Sequence, residues 1–279
     1  MRIVVTGGTG QLGRAFAALA GSFAGQLIIL GSTALDVTNP GQIENLFGQI
    51  RPDAVVHAGA YTAVDAAEKV PEQAFKVNVV GTRNIAAACL NHGSKMVYIS
   101  SDYVFDGRQN RPYTEFDRPN PLNVYGSSKL EGELIAARIC PRLFVVRTSW
   151  LYGEGRNFVR TIIKLARERD TLTVVNDQTG TPTYAADLAA GIMSIIATDN
   201  YGTYHMANTG CCTWCEFAGE IIRLSGLTAA VQPVTTAQFA AAALRPQYSV
   251  LRNYMLEMSG GHMFRAWQAA LADYLAKGG

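Results

Sequence analysis

The sequence predicts an α/β fold, a doubly wound parallel sheet followed by a smaller, mixed C-terminal lobe. Three observations predict it. Short runs rich in β-branched residues alternate with helical segments as far as residue 149. These runs are apolar throughout rather than at alternate positions, the pattern of strands covered on both faces. The first run also passes directly into a glycine-rich turn that opens a helix, as in Rossmann-type sheets. At 279 residues the chain has room for one large domain or two modest ones with a substantial core.

The elements follow in order. RIVVT (2–6) is the first strand, and QLGRAFAALA (11–20) has helical composition. QLIIL (26–30) reads as a second buried strand, and PGQIENLFGQI (40–50) as a helix with apolar residues three and four apart. DAVVHAG (53–59) is a third strand, 72–91 a long helix, and KMVYIS (95–100) a fourth strand. A helix containing NVYGSSKLEGE (123–133) then leads to the strand LFVVRTS (143–149). Beyond Trp150 the rhythm loosens. Helical segments at 157–169, 186–197 and 214–225 are separated by strand-like pieces such as LTVV and TYHMA. The reading is therefore a first domain over 1–149 and mainly a second lobe over 150–279, with some segments free to return to the first sheet.

Composition narrows the function classes. A net charge of +2 gives no basic field of the kind that nucleic acid requires, so no nucleic-acid partner is expected. The longest apolar stretch, LAAGIMSIIA (188–197), is too short to span a bilayer and fits a buried helix, so no membrane partner is expected. MRIVVTGG runs straight into a strand, which argues against a signal peptide. Cys89, Cys140, Cys211, Cys212 and Cys215 form an odd set, which argues for a reducing cytoplasm rather than a disulfide framework. Cys212 and Cys215 have C-x-x-C spacing, but there is no second such pair and His205 is the only nearby histidine. Buried thiols are expected there, and no metal site.

The turn TGGTGQLG places Gly7, Gly10 and Gly13 in a G-x-x-G-x-x-G pattern between the first strand and the first helix. That context points to dinucleotide binding, with the pyrophosphate on the helix N-terminus. After the second strand, Gly31, Ser32 and Thr33 stand where an acid would bind the adenosine ribose, and Asp36 comes only later. Nothing there repels a 2′-phosphate, so the lean is towards NADPH, with NADH also allowed. Residues 1–149 thus read as an NAD(P)-binding domain and the second lobe as substrate-binding.

Ligands of such sheets bind beyond the carboxyl ends of the strands. Ser100, Ser101 and Asp102 follow the fourth strand and AGAYT (58–62) the third. Tyr125 and Lys129 share one helix face, one turn apart. Reduction of a carbonyl needs a hydride at carbon and a proton at the developing alkoxide. A tyrosine supplies that proton if a neighbouring ammonium lowers its pKa, and a serine hydroxyl holds the carbonyl oxygen.

These residues resemble the extended short-chain dehydrogenase/reductases and, within them, the dTDP-4-dehydrorhamnose reductase family. The likeness runs along nearly the whole chain: YTAVDAAE (61–68), VNVVGTRNIA (77–86), SSDYVFDG (100–107), PYTEFDRPNPLNVYGSSKLEGE (112–133), VRTSWLYG (146–153), DQTGTPTYAADLA (177–189), RPQYSVL (245–251) and FRAWQAALADYL (264–275). The resemblance implies reduction of the 4-keto group of a dTDP-sugar, dTDP-4-dehydro-β-L-rhamnose, by a cytoplasmic monomer or homodimer. It implies Tyr125 as proton donor, Lys129 on the nicotinamide ribose while tuning Tyr125, and Ser101 where the family usually has threonine. Gly10, Gln11 and Leu12 would lie against the pyrophosphate, Asp36 and Val37 near the adenine, and Ala60, Tyr61 and Thr62 along the cofactor. Asp102 and Trp150 would contact the deoxysugar nucleotide, and Val64, Asp65, Tyr103, Asn157 and Arg245 would also line its pocket.

Each of these last residues has a plainer alternative. Asp65 and Asn157 could cap helices, Trp150 could be core between the lobes, and Arg245 could pair with a surface carboxylate. Cys215 and Arg252 depart from the family pattern, and no acidic cluster is seen for the magnesium ion around which some members dimerise. Two other functions share the motifs: another nucleotide-sugar reductase or epimerase of the superfamily, or a non-catalytic cofactor-binding regulatory subunit like the methionine adenosyltransferase β-subunit.

Overall fold

The computed structural model describes residues 1–239 and 241–278. Five strands come from the first 148 residues: β1 (Arg2–Thr6), β2 (Gln26–Leu30), β3 (Ala54–His57), β4 (Lys95–Ser101) and β5 (Leu143–Thr148). A sixth, Gly202–His205, arrives from the second half and pairs with β5, giving the order Gly202–His205, β5, β4, β3, β1, β2. All neighbouring strands are parallel. Every residue of β3 and β5 is buried, as is all of β1 beyond Arg2, because helices cover both faces.

Alternation along the strands divides the core in two. Ile3 and Val5 face Leu12 and Phe16 of helix Gln11–Leu19 together with Leu188, Ile192 and Ile195 of helix Ala185–Ile196. Val4 and Val55 face Phe47 of helix Pro40–Ile50, Ile85 of helix Thr82–His92 and Ala136 of helix Val124–Ile139. Both TYHMA and the greasy helix before it thus belong to the first sheet. The helix expected over 72–91 is interrupted: Pro71–Phe75 and Thr82–His92 flank a π-helical turn, Lys76–Gly81.

The second lobe has its own core. Helices Phe158–Glu168, Trp214–Leu224 and Trp267–Ala276 gather Val159, Ile162, Phe217, Ile221, Trp267 and Leu271 around Tyr152. LTVV lies within strand Thr171–Val175, whose parallel partner is Ala230–Val234. That partner has no apolar signature, since Gln232 and Pro233 interrupt it and none of its residues is fully buried. Among the described residues, no helix is long and apolar enough to cross a membrane.

Candidate active site

The chain runs from β1 outward to β2, then returns to β3 on the other side of β1. Such a reversal opens a crevice beyond the carboxyl ends of the two strands. The glycine turn sits there, and two of its glycines have specific steric reasons. Gly7 has φ +71°, and a Cβ on it would lie 2.7 Å from the backbone of Ala58 and Gly59. A Cβ on Gly13 would lie 2.5 Å from the Gly7 carbonyl oxygen and Gly8 Cα, so the helix packs on the turn only without one. Gly10 differs, since its Cβ would meet nothing closer than the Gly7 oxygen at 3.2 Å. It is the N-cap of helix Gln11–Leu19 and supplies no side-chain cap. The first N–H groups of that helix therefore receive no side-chain cap, and the turn that carries them lines a hollow, a cradle suited to a phosphate.

Tyr125 and Lys129 are held by helix Val124–Ile139. Asn123 caps it, with Oδ1 accepting from the Gly126 N–H at 2.7 Å and Nδ2 donating to the Leu244 carbonyl at 2.7 Å. A Cβ on Gly126 would collide with the Tyr103 carbonyl, so glycine lets the helix approach the end of β4. Tyr125 is half-buried, edge-on to the Tyr103 ring at 5.7 Å. Burial pushes its phenol up to about 12; the Ser101 hydroxyl opposes the rise and the Asp102 carboxylate adds to it. Ser101 ends β4, donating to Asp102 Oδ1 at 2.9 Å and accepting from the Tyr103 N–H at 3.2 Å. Burial pushes Asp102 up to about 6, against the hydroxyls of Ser249 and Ser101.

Lys129 is 2% exposed, with Nζ 4.2 Å from the centroid of the Tyr98 ring. Burial pushes its ammonium down to about 7, with Glu133 one turn further along the helix opposing the fall. This corrects one expectation. In the ligand-free protein Lys129 does not bring the Tyr125 pKa below the ordinary tyrosine value. The phenol is raised, because burial penalises the phenolate and the ammonium alike.

One hollow of about 710 Å³ gathers most of the sequence candidates. Gly7, Gly10, Gln11, Leu12 and Gly13 line one end; Ala60, Thr62 and Val64 line its wall. Ser101, Asp102, Tyr103, Tyr125 and Lys129 meet in it, and Trp150 and Asn157 line it as well. A larger recess of about 860 Å³, bordered by Arg160, Lys164, Arg167 and Leu275, contains none of these residues.

Five candidates lie outside the hollow. Asp36 is exposed, its carboxylate taken by the Thr38 N–H and hydroxyl at 2.9 and 2.8 Å, and Val37 is buried. The main chain of Tyr61 is clamped by Asn78, whose Oδ1 accepts from its N–H at 2.8 Å and whose Nδ2 donates to its carbonyl at 3.1 Å. Asp65 does not cap its helix, since Ala63 holds that position. Its carboxylate instead pairs with Arg245 at 2.6 Å and accepts from the Ala243 N–H at 3.0 Å. Asn157 does cap a helix, Oδ1 accepting from the Arg160 N–H at 3.0 Å, and lines the hollow as well.

Two contributors escaped the sequence reading. Asn78 also donates to Ser128 Oγ at 2.8 Å, which in turn donates to the Tyr125 carbonyl at 2.7 Å, so it ties the segment after β3 to the catalytic helix. Trp214 lines the hollow and stacks on Trp150 with 3.5 Å between centroids and 8° between planes. Its signal lay inside CCTWC, where the cysteines draw attention first. Of those, Cys211 is exposed rather than buried, Cys212 is buried and Cys215 lies between. Among the described residues, no group of three or more His, Cys, Asp or Glu is placed to hold a metal ion.

The family model described as RmlD substrate binding domain matches residues 1–278. A dTDP-4-dehydrorhamnose reductase of Streptomyces griseus is 40% identical over 280 residues, covering 98% of this chain and 92% of that protein. The crystal structure of a dTDP-4-dehydrorhamnose reductase from Clostridium acetobutylicum ATCC 824 superposes with a TM-score of 0.97 at 44% identity, covering 99% of both chains. That of a Bacillus anthracis str. Ames dTDP-4-dehydrorhamnose reductase in complex with NADP does so with a TM-score of 0.95 at 42% identity, again over 99% of both.

Proposed function

This chain belongs to the dTDP-4-dehydrorhamnose reductase family, and we propose that it reduces the 4-keto group of dTDP-4-dehydro-β-L-rhamnose to give dTDP-L-rhamnose, with NADPH as reductant. The observation that carries this is the convergence of Ser101, Tyr125 and Lys129 on the hollow opened by the glycine turn. The residues fit the cofactor: the N–H groups after Gly10 would take the pyrophosphate, and Ala60 and Thr62 would help to hold it. No carboxylate occupies positions 31–33 to repel a 2′-phosphate. When bound, the reduced nicotinamide supplies the hydride to C4.

The chain's own residues manage the proton. Tyr125, with its pKa raised to about 12, is protonated at neutral pH and starts as a donor. It gives its phenolic proton to the keto oxygen as negative charge develops there. Lys129, one turn along the same face, stabilises the phenolate left behind. Ser101 orients the oxygen by turning its hydroxyl from Asp102. Asp102, Tyr103, Trp150 and Asn157 take the sugar nucleotide, while Val64 borders it. Asp65 and Arg245 act from outside the hollow, by tying residues 243–245 to helix Val64–Lys69. The five free cysteines, Cys211 among them exposed, suit a reducing compartment, and we place the reaction in the cytoplasm.

The test is turnover of dTDP-4-dehydro-β-L-rhamnose, followed by loss of NADPH absorbance. Tyr125→Phe is expected to lower kcat by about 10²- to 10⁴-fold, the usual worth of a positioned proton donor. NADPH affinity should be retained. Wild-type turnover in that variant refutes the assigned role.

A further inference from the structure

We propose that Trp214 is a positioning residue, and that with Gly180 it clamps Trp150 so that the indole meets the sugar nucleotide by its edge rather than its face. The inference rests on the functional reading above, and three observations carry it. Trp150 has φ +45°, a left-handed conformation unusual for a bulky side chain and held only where the surroundings impose it. Its indole then lies between two neighbours. On one side Trp214 stacks nearly parallel at 3.5 Å. On the other, a Cβ on Gly180 would lie 2.6 and 2.7 Å from Nε1 and Cζ2 and closer still to Cε2 between them. Near-equal distances to three consecutive ring atoms put that Cβ over the ring face. It cannot share a face with Trp214, because an indole at stacking distance fills that space.

Both faces of Trp150 are therefore covered, yet the residue is half-buried and lines the hollow. What it can offer a ligand is its rim, which carries its one hydrogen-bond donor, Nε1–H.

The clamp is built from one small unit. Cys212–Thr213 pairs antiparallel with Thr179–Gly180, so Gly180 and Trp214 are held in fixed relation. Trp214 opens its helix behind a capping box between Thr213 and Glu216, and the Phe158 ring packs on it at 4.5 Å. The Trp150 carbonyl accepts from the Thr183 N–H at 3.2 Å. A sugar hydroxyl or phosphate oxygen is the chemistry that a fixed indole rim recognises.

The experiment uses the full chain with Trp214→Leu, Trp214→Phe and Trp150→Phe. Stacked indoles give an exciton couplet in far-ultraviolet circular dichroism, which reads the clamp whether or not the protein turns over. Trp214→Leu is expected to lose the couplet and raise KM for the sugar nucleotide about 10-fold, the scale of one hydrogen bond. KM for NADPH should stay within about 2-fold in the same variant, because the clamp's contacts are with Trp150, Phe158 and Gly180 and not with the glycine turn. Trp214→Phe keeps a flat ring and should restore most of the KM. Trp150→Phe keeps a ring in the clamp but shortens the rim and loses the donor, and should raise KM for the sugar nucleotide with little change in Tm. Loss of the couplet in Trp214→Leu with an unchanged KM overturns the proposal. So does a Trp150→Phe enzyme of wild-type KM, which decides the matter if Trp214→Leu does not fold. A wild-type protein that shows the couplet but never reduces the sugar nucleotide refutes the functional reading instead.

Discussion

Replacing Lys129 with methionine should abolish turnover and make the ligand-free protein more stable. The side chain is 2% exposed, and burial moves its pKa from an ordinary 10.5 to about 7. At about 1.4 kcal/mol per tenfold change in proton affinity, that is a cost of roughly 5 kcal/mol when the lysine is charged. The Tyr98 ring beneath Nζ recovers part of what methionine would not need, about 1–2 kcal/mol. A net gain of about 3–4 kcal/mol is the expectation. The pH dependence follows from the depressed pKa. Below about pH 7 folded and unfolded chains both carry the proton, and the whole cost is present. Between about 7 and 10.5 the unfolded chain holds more protons, so this contribution to stability rises with pH. Above the ordinary value both forms are neutral and the cost has gone. Urea unfolding of wild type and Lys129→Met at about pH 6 and about pH 10 measures this. The variant should be more stable at the lower pH, and the gap should close at the higher. A variant that is less stable at low pH, or a gap indifferent to pH, refutes the reasoning.

The buried pair between Glu133 and Arg147 gives the opposite result. Its two contacts are 2.9 and 2.7 Å, and Glu133→Gln leaves the guanidinium buried without a counter-charge. A loss of about 3–5 kcal/mol in urea unfolding is expected, and an unchanged midpoint would count against the pairing. Gly13→Ala puts a Cβ 2.5 Å from backbone atoms of Gly7 and Gly8 that have no rotamer to yield. NADPH affinity, read by fluorescence titration, should fall by more than about 10-fold, as the turn must open by several tenths of an ångström. Retained affinity would mean that the turn does not set the cradle.

The strands β1 to β5 are legible because each is a short apolar run bounded by turn residues, a pattern local enough to read. The sixth reads as strand-like in TYHMA, but its place beside β5 is not legible, because the mixed GTYH sequence carries no local mark of its partner. Helix Ala185–Ile196 declares itself as a helix, but its seven buried residues do not say which sheet they cover. The π-helical turn at Lys76–Gly81 contains no proline, so no residue in it marks where a regular helix stops. Its irregularity accompanies the bonds of Asn78 to Tyr61 and Ser128, which are long-range and leave no local mark. In the site, the four-residue spacing of Tyr125 and Lys129 fixes their shared face. The Tyr98 ring under Lys129 comes from β4, and no spacing rule connects the two.

Sequence alternatives that look exclusive turn out to be joint. Asn157 caps a helix and lines the hollow, and the capping bonds hold its side chain there. Trp150 packs against the second-lobe core and lines the hollow as well. Burial alone therefore does not separate a structural group from a working one, but the company that a buried charge keeps does. Arg147 is buried against a carboxylate that matches its fork, so structure accounts for it. Lys129 is buried as deeply, yet among the described residues no carboxylate lies within salt-bridge distance of it, and its pKa is pushed down rather than held. A buried charge that the Tyr98 ring offsets only in part is the kind found at functional sites rather than in structural ion pairs. Lys129 keeps that company with Tyr125 in the lining of one hollow, which is why its burial reads as working rather than structural.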